Sequence, residues 1–232
     1  MKNIPVSFQS GVHTFEISQT LTKKQFSAAL NRAHVRGKLM HNKKVQESYV
    51  LLDQQMPGIT VTLYPIYPRR TYRVNIRIEP CRVLGSDDPT ALYQYTKKSF
   101  HKLQQFCDRY LEMLCIPGSI ETMKVSRCDL TCNLGFPDQD YVDAYLRILK
   151  KSHMIPGYSL GTFKANEKKA KDPNQANQHS HCIRCKQASI LCYDKIDQLK
   201  MVGRCPHELE DVAILRLEAQ LKRPALKRVL GK

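Results

Sequence analysis

Three short stretches of the chain place chemically capable side chains among apolar neighbours. They read VSRCDLTCNL (125–134), ILCYDK (190–195) and ILRLEAQLKR (214–223). If these are strands, alternate side chains share a face, which groups Arg127 with Asp129 and Arg216 with Glu218. TYRVNIRIEP (71–80) repeats the pattern with Arg77 and Glu79. An arginine followed two residues later by an acid therefore recurs on three predicted strands.

Carboxylates that gather on one face repel one another, and a divalent cation relieves that repulsion. If the three strands share a sheet, Asp129, Glu218 and Glu79 converge and predict a Mg²⁺ or Mn²⁺ site suited to phosphate chemistry. A solvated face with ordinary arginine–carboxylate pairs across strands explains the same pattern. Both interpretations stay open from the residues alone.

Tyr193 is the candidate nucleophile, because it ends a predicted strand beside Lys195. A phenol has a pKa of about 10, so it needs a metal, a base or a nearby cation to attack as phenolate. Attack on a DNA phosphodiester would leave a phosphotyrosine and a free 3′ hydroxyl. Alternation predicts that Lys195 shares the face of Tyr193. A structural tyrosine, with a packed ring and a locally bonded hydroxyl, is the alternative.

Two segments, HSHCIRC (179–185) and CPH (205–207), combine histidine with cysteine. Their spacing is compatible with a structural zinc site, whose ligands would be Cys182, Cys185, Cys205 and His207. Against this, the sequence has no second Cys-x-x-Cys, and Cys182 and Cys185 would point to opposite faces of a strand. The His-x-His pair also resembles the metal motif of HUH nucleases, although its flank here is polar.

The chain is strongly basic, with 37 Lys and Arg against 21 Asp and Glu among 232 residues, a formal net charge of +16. This excess predicts a polyanionic partner, nucleic acid first and an anionic membrane second. The alternative is a soluble protein that is basic but has no polyanionic partner. Basic side chains would contact phosphates and position DNA without reading its sequence. The candidates are Arg127, Lys222, Lys168, Lys169, Arg69 and Arg70.

Several function classes find no support in the sequence. It contains no GxxxxGK[ST] phosphate loop, so no ATPase is expected. No run of 18 apolar residues and no apolar signal-peptide core are present, so nothing is expected to span a membrane, and DNA rather than a membrane is the expected partner. Nine cysteines, an odd number that lies mostly inside predicted elements, favour a reducing cytoplasm over a disulfide scaffold.

The elements that must position these residues indicate an α+β fold in a single domain, 1–232. Strands are predicted at 11–19, 47–55, 58–66, 71–80 and 125–136, then around 182–195 and 213–222; helices are predicted at 21–37, 88–118 and 137–154. We expect a mainly antiparallel twisted sheet, with helices on one face and a polar active-site face on the other. The lysine-rich stretch 164–181 predicts a flexible basic loop.

The three stretches resemble, in order, the blocks of rolling-circle replication initiators, namely plasmid Rep proteins of the Rep-trans type and phage gene II/X-like replication proteins. Those blocks read roughly T-R-x-D-L-x-x-D, I-x-x-Y-[DN]-K and R-x-E-x-x-L-K, and RVNIRIEP is similar to an earlier strand of the family. The resemblance spans about residues 60–223. Family members usually carry further C-terminal sequence that is absent after Lys232, so we expect either a short version or a cut-down form of such a protein.

The resemblance implies a metal-dependent DNA endonuclease and strand transferase that starts rolling-circle replication on a plasmid or phage. It implies that Tyr193 is the nicking nucleophile and that Asp129 and Glu218 belong to the metal site, while Asn133 replaces the second acid of the first block. Lys195 and Arg216 would neutralise developing charge.

The implied partners are origin DNA, single-stranded or cruciform, a host helicase and polymerase, and a second copy of the chain. Two alternatives stay open. One is a non-catalytic nucleic-acid-binding protein on the same fold, and the other is a zinc-stabilised interaction module.

Overall fold

In the computed structural model of the chain, the structure describes residues 7–42, 47–67, 71–151, 155–160 and 179–231. Over these ranges it contains ten strands and six α-helices, and the strand registers are antiparallel. The predicted α+β class with a mainly antiparallel sheet is confirmed. The chain divides into two compact units, here called unit A (12–87 and 93–128) and unit B (1–11, 88–92 and 129–232).

Unit A contains a five-stranded antiparallel arrangement in the order β2-β3-β4-β5-β1. Its elements, two of which extend into unit B, are β1 (Ser7–Leu21), α1 (Lys23–Arg36), β2 (Lys38–Asn42), β3 (Ser48–Leu52), β4 (Ile59–Ile66), β5 (Thr71–Ile78), α2 (Pro80–Val83), α3 (Lys97–Met113) and β6 (Lys124–Phe136). The predicted hairpin around Pro57–Gly58 is confirmed by the pairing of β3 with β4.

Local sequence explains where the two long helices of unit A begin. Thr22 and Thr96 each accept a hydrogen bond from a backbone N–H three residues later, in a capping box. The sequence predicted a helix over 88–118, but α3 starts only after Thr96. Pro89 disfavours a helical conformation in the residue before it, so the segment that follows Asp88 is irregular. Thr96 is a preferred N-cap residue, and the amphipathic helix begins directly after it.

The core of unit A follows from strict alternation in its central strands. In β4 and β5 every second residue is buried, including Val61, Leu63, Val74 and Ile76. Residues of α1 and α3 pack into the same apolar cluster. The helices therefore cover one face of these strands, and the polar residues of β4 and β5 lie on the other face.

Unit B continues with α4 (Gln139–Lys151), β7 (Ser159–Leu160), β8 (Ser180–Arg184), β9 (Ala188–Asp194), α5 (Lys195–Met201), a 3₁₀ turn (His207–Leu209), β10 (Ala213–Lys222) and α6 (Arg223–Leu230). Its strand order is β6-β10-β9-β8-β7. Val142 and Leu146 of α4 pack with Cys192 of β9 and Leu215 of β10. Alternate residues of β9 and β10 therefore face away from α4.

Two predicted features of unit B need correction. The stretch 182–195 is not one strand but a hairpin of β8 and β9, which pair from Ser180↔Tyr193 to Arg184↔Ser189. Its turn, Cys185–Lys186–Gln187, lacks the glycine or proline that usually marks a turn in sequence. The predicted loop 164–181 lies mostly outside the described residues, and its last two residues belong to β8.

No helix within the described ranges is long and apolar enough to cross a membrane.

Candidate active site

The pairing of β9 with β10 brings the candidate nucleophile beside an arginine. Tyr193 lies directly opposite Arg216, and Glu218 lies opposite Leu191, two residues further along. Leu215 and Leu217 pack towards α4, so Arg216 and Glu218 project from the opposite face. Cross-strand neighbours share a face, which places Tyr193 there as well. Tyr193, Arg216 and Glu218 therefore lie on one face of this strand pair.

The hydroxyl of Tyr193 donates a hydrogen bond to Oε2 of Glu218 at 3.2 Å. The other carboxylate oxygen, Oε1, accepts a hydrogen bond from Nε2 of Gln220 at 2.7 Å. Tyr193 and Glu218 are each only 6% exposed. A phenol bonded to a buried carboxylate has the geometry of a nucleophile next to its general base.

Arg216 is fully buried and fixed by two oxygens. Its Nε donates to Oδ1 of Asn133 at 2.8 Å, and its Nη2 donates to the backbone carbonyl of Thr90 at 2.9 Å. Nδ2 of Asn133 donates to the same carbonyl at 2.8 Å. Asn133, which replaces the second acid of the resembled block, thus holds the arginine in place. A fixed cation opposite Tyr193 can stabilise negative charge on a phosphate.

The pKa of Tyr193 is raised above its ordinary value of about 10. Burial is the largest cause, the negative charge of Glu218 adds to it, and the guanidinium of Arg216 partly offsets both. The phenol is therefore protonated at neutral pH, and attack requires that its proton pass to another group. Glu218 is the acceptor that already contacts it.

Asp129 supplies a second carboxylate to this face. It lies in β6 with Thr131 and Asn133 at alternate positions, and it is fully buried. Asn133 bonds to Arg216, so alternation places Asp129 on the face that carries Arg216 and Glu218. A solvated face was one of the two interpretations that the sequence left open, but these polar side chains are buried. The carbonyl of Thr90, from a segment remote in sequence, accepts hydrogen bonds from two of them, Asn133 and Arg216.

The donor set of this face fits a cation only in part. Within the described residues, no group of three or more His, Cys, Asp and Glu side chains is arranged to hold a metal ion. Mg²⁺ is commonly bound by one or two carboxylates together with waters and substrate phosphates. Asp129 and Glu218 are the two carboxylates of this face from which such a smaller set could be drawn.

Lys195 is not placed as the sequence predicted. It is the first residue of α5 rather than a strand residue alternating with Tyr193, and its Nζ donates to Oε1 of Gln198 at 2.9 Å. Asp194 ends β9 and caps the helix, because Oδ1 accepts from the backbone N–H of Ile196 and of Asp197, both at 2.9 Å. Asp194 thereby fixes the chain direction immediately after Tyr193.

Glu79 and Arg127 belong to unit A. Glu79 lies 3.5 Å from Arg82 and 3.9 Å from Arg77 in ion pairs, and Arg127 lies 3.4 Å from Glu16. Within unit A, Glu79 therefore pairs with arginines, whereas Tyr193 belongs to unit B. Lys222 is exposed at the end of β10, where Nζ donates to the carbonyl of Lys186 at 3.2 Å. The predicted phosphate contacts Lys168, Lys169, Arg69 and Arg70 lie outside the described residues.

The cysteine and histidine residues occupy different elements. Cys182 is buried in β8, Cys185 is in the following turn, and Cys205 and His207 lie at the 3₁₀ turn. None of them belongs to a potential metal-binding group among the described residues. Burial and the nearby charge of Lys150 lower the pKa of His181.

A cleft of about 440 Å³ in unit B has a strongly acidic lining, which the sequence did not indicate. Its acidic residues are Asp138, Asp194, Asp197, Glu210 and Asp211. Burial raises the pKa of Asp197, and the nearby charge of Asp194 contributes in the same direction. Such a surface repels phosphates, so we expect the contacts of this basic protein with nucleic acid to lie elsewhere.

No protein-family model matches this chain, and no curated protein matches it. The resemblance to replication initiators therefore depends on the three sequence blocks.

Proposed function

We propose that this protein is a DNA nicking and joining enzyme that initiates rolling-circle replication through a covalent phosphotyrosine intermediate. The observation that carries the proposal is the buried hydrogen bond from Tyr193 to Glu218, with Arg216 directly opposite the tyrosine. A nucleophile, a base in contact with it and a fixed cation are the parts that phosphoryl transfer requires.

In the proposed step, Glu218 accepts the phenolic proton while Oη of Tyr193 attacks the scissile phosphorus. A Tyr193–phosphate bond forms and the bond from phosphorus to the 3′ oxygen breaks. The leaving 3′ oxygen takes up a proton, which Glu218 can return, and the reverse reaction joins the strand. Arg216 stabilises the negative charge on the phosphate oxygens, and the 3′ hydroxyl is available to prime a polymerase.

A divalent cation is part of the proposal. Asp129 and Glu218 would hold Mg²⁺ or Mn²⁺, which would polarise the scissile phosphate and favour the phenolate. Lys195 remains a proposed source of positive charge at the site, although its ammonium group already contacts Gln198.

A second candidate, a nucleic-acid-binding protein without catalysis, is favoured by the burial of Tyr193. With its side chain 6% exposed, the phenol reaches a phosphodiester only if DNA binding opens the site. If the Tyr193–Glu218 hydrogen bond is purely structural, the protein still has its positive charge and can still bind nucleic acid.

Formation of a covalent adduct distinguishes the two candidates. The full chain is mixed with supercoiled or single-stranded DNA and Mn²⁺, and protein–DNA adducts that survive denaturation are measured by gel electrophoresis. We expect an adduct from the wild-type protein, none from Tyr193→Phe, and unchanged DNA binding by both.

Tyr145→Phe is the matched control, because Tyr145 is a largely exposed tyrosine of α4 in the same unit. It should form adduct like the wild type. Wild-type binding without any adduct would establish the non-catalytic candidate, and an undiminished adduct from Tyr193→Phe would assign the chemistry to another residue.

A further inference from the structure

The polar face of the unit A strands carries side chains suited to a single nucleic-acid strand. Here it is called the open face, and it comprises Thr60, Thr62 and Tyr64 of β4, Arg73, Asn75 and Arg77 of β5, and Glu16, Ser18 and Thr20 of β1. Most of these side chains are partly exposed and Thr20 is exposed, whereas their neighbours along β4 and β5 are buried against α1 and α3.

Strand register aligns these residues in rows across the sheet. One row runs Thr20–Arg73–Tyr64, the next Ser18–Asn75–Thr62, and the third Glu16–Arg77–Thr60. Neighbouring strands are about 4.8 Å apart and alternate residues of one strand are about 6.8 Å apart. The rows therefore form a grid of hydrogen-bonding groups with an aromatic ring and two guanidinium groups.

The ion pairs that the structure describes on the open face do not involve Arg73, whose guanidinium group can therefore bind a partner. Arg127 forms an ion pair with Glu16 at 3.4 Å, and Nδ2 of Asn75 donates to the same carboxylate at 3.2 Å. Among the described residues, the side chain of Arg73 has no ion pair or hydrogen bond, and Tyr64 beside it has no hydrogen bond or ring contact. Arg73 and Tyr64 are thus free to bind a phosphate and a base.

We propose that the open face of unit A binds single-stranded DNA, with Tyr64 stacking on a base and Arg73 contacting a phosphate. The choice of DNA as the polyanion rests on the proposed nicking function. A broad sheet face cannot enter a duplex groove, which admits one helix or a two-stranded ribbon. The unstacked bases of a single strand can instead lie on a sheet, stack on aromatic side chains and bond to neighbouring polar groups.

Binding of a fluorescent oligothymidine of about 20 nucleotides, measured by anisotropy at several salt concentrations, tests the proposal. The full chain carries Tyr193→Phe throughout, so that no covalent chemistry contributes. Adding Tyr64→Ala should weaken binding at least about fivefold, the lower range for losing one base stack. Adding Arg73→Ala should reduce the slope of log affinity against log salt by about 0.7.

Arg32→Ala is the matched control, because Arg32 is an exposed arginine of α1, the helix that packs against the opposite face. It should bind the oligonucleotide with the affinity of the Tyr193→Phe parent. Thermal unfolding of each variant establishes that it is folded.

The proposal is wrong if folded Tyr64→Ala and Arg73→Ala variants bind like the parent, or if Arg32→Ala weakens binding as much as they do. Its failure is separate from failure of the proposed function. An adduct at Tyr193 with no effect of Tyr64 or Arg73 would overturn the open-face site alone. Loss of binding in these variants without any wild-type adduct would overturn the nicking function alone.

Discussion

The hydrogen bond between Tyr193 and Glu218 gives the acid a different role from the one that the sequence predicted. Alternation along β10 predicted a carboxylate for a metal, and the structure adds a direct contact with the phenol at 3.2 Å. The raised pKa of Tyr193, caused first by burial, makes an unassisted phenolate scarce at neutral pH. We therefore infer that Glu218 is the base, while Asp129 is the carboxylate whose only proposed role is to hold the cation.

Glu218→Gln should slow adduct formation by about 10²-fold or more, because it removes the base and keeps a side chain of similar shape. The rate of the variant should rise steeply with pH over the whole accessible range, since its phenol, whose pKa burial raises, must lose the proton to solvent. The wild-type rate should depend less on pH. Single-turnover adduct formation at several pH values measures both.

Asp129→Asn provides the comparison within the same site. If Asp129 only holds the cation, its variant should need a higher Mn²⁺ concentration for the same rate, and its pH profile should follow that of the wild type. A Glu218→Gln profile as flat as the wild-type profile would contradict a base role for Glu218.

At the scale of elements, β9 and α5 position the nucleophile through one side chain. Asp194 ends the strand after Tyr193, caps α5, and accepts a hydrogen bond from Gln139 at 2.6 Å. Alternation along ILCYDK would put Asp194 on the face opposite Tyr193. A helix cap was not apparent there, because ILCYDK looked like the end of a strand and α5 is only seven residues long.

Asp194→Ala should destabilise the protein by about 1–3 kcal/mol, since it removes the cap and one of the two carboxylate acceptors of Gln139. Asp194→Asn retains an oxygen that can cap the helix and should cost only a few tenths of a kcal/mol. Urea unfolding compares the two free energies of unfolding. Equal stability of the two variants would show that the cap contributes little.

For the whole molecule, sequence periodicity predicted strands and helices well where one face is buried. The alternation in β4 and β5 and the amphipathic pattern of α4 correspond to their observed burial. Burial of Asp129, Arg216 and Glu218 could not be predicted in this way. For Arg216 it involves the carbonyl of Thr90, far away in the chain, and local periodicity contains no information on such a contact.

Charge distribution is also a property of the whole chain that composition conceals. A net charge of +16 suggests a uniformly basic surface, yet unit B contains an acidic cleft, and Arg73 on the open face of unit A has no ion pair with any residue that the structure describes. The sum of charges predicted a polyanionic partner, and only the fold shows where each sign is concentrated.

The most direct test of the account is to identify the residue that becomes attached to DNA. The adduct is digested with nuclease and trypsin, and the peptide that carries the residual nucleotide is sequenced by mass spectrometry. Trypsin should release QASILCYDK (187–195), in which Tyr193 is the single tyrosine. We predict a phosphodiester-linked nucleotide on Tyr193 of this peptide; a nucleotide attached to any other residue, or an unmodified 187–195 peptide from purified adduct, would contradict the account.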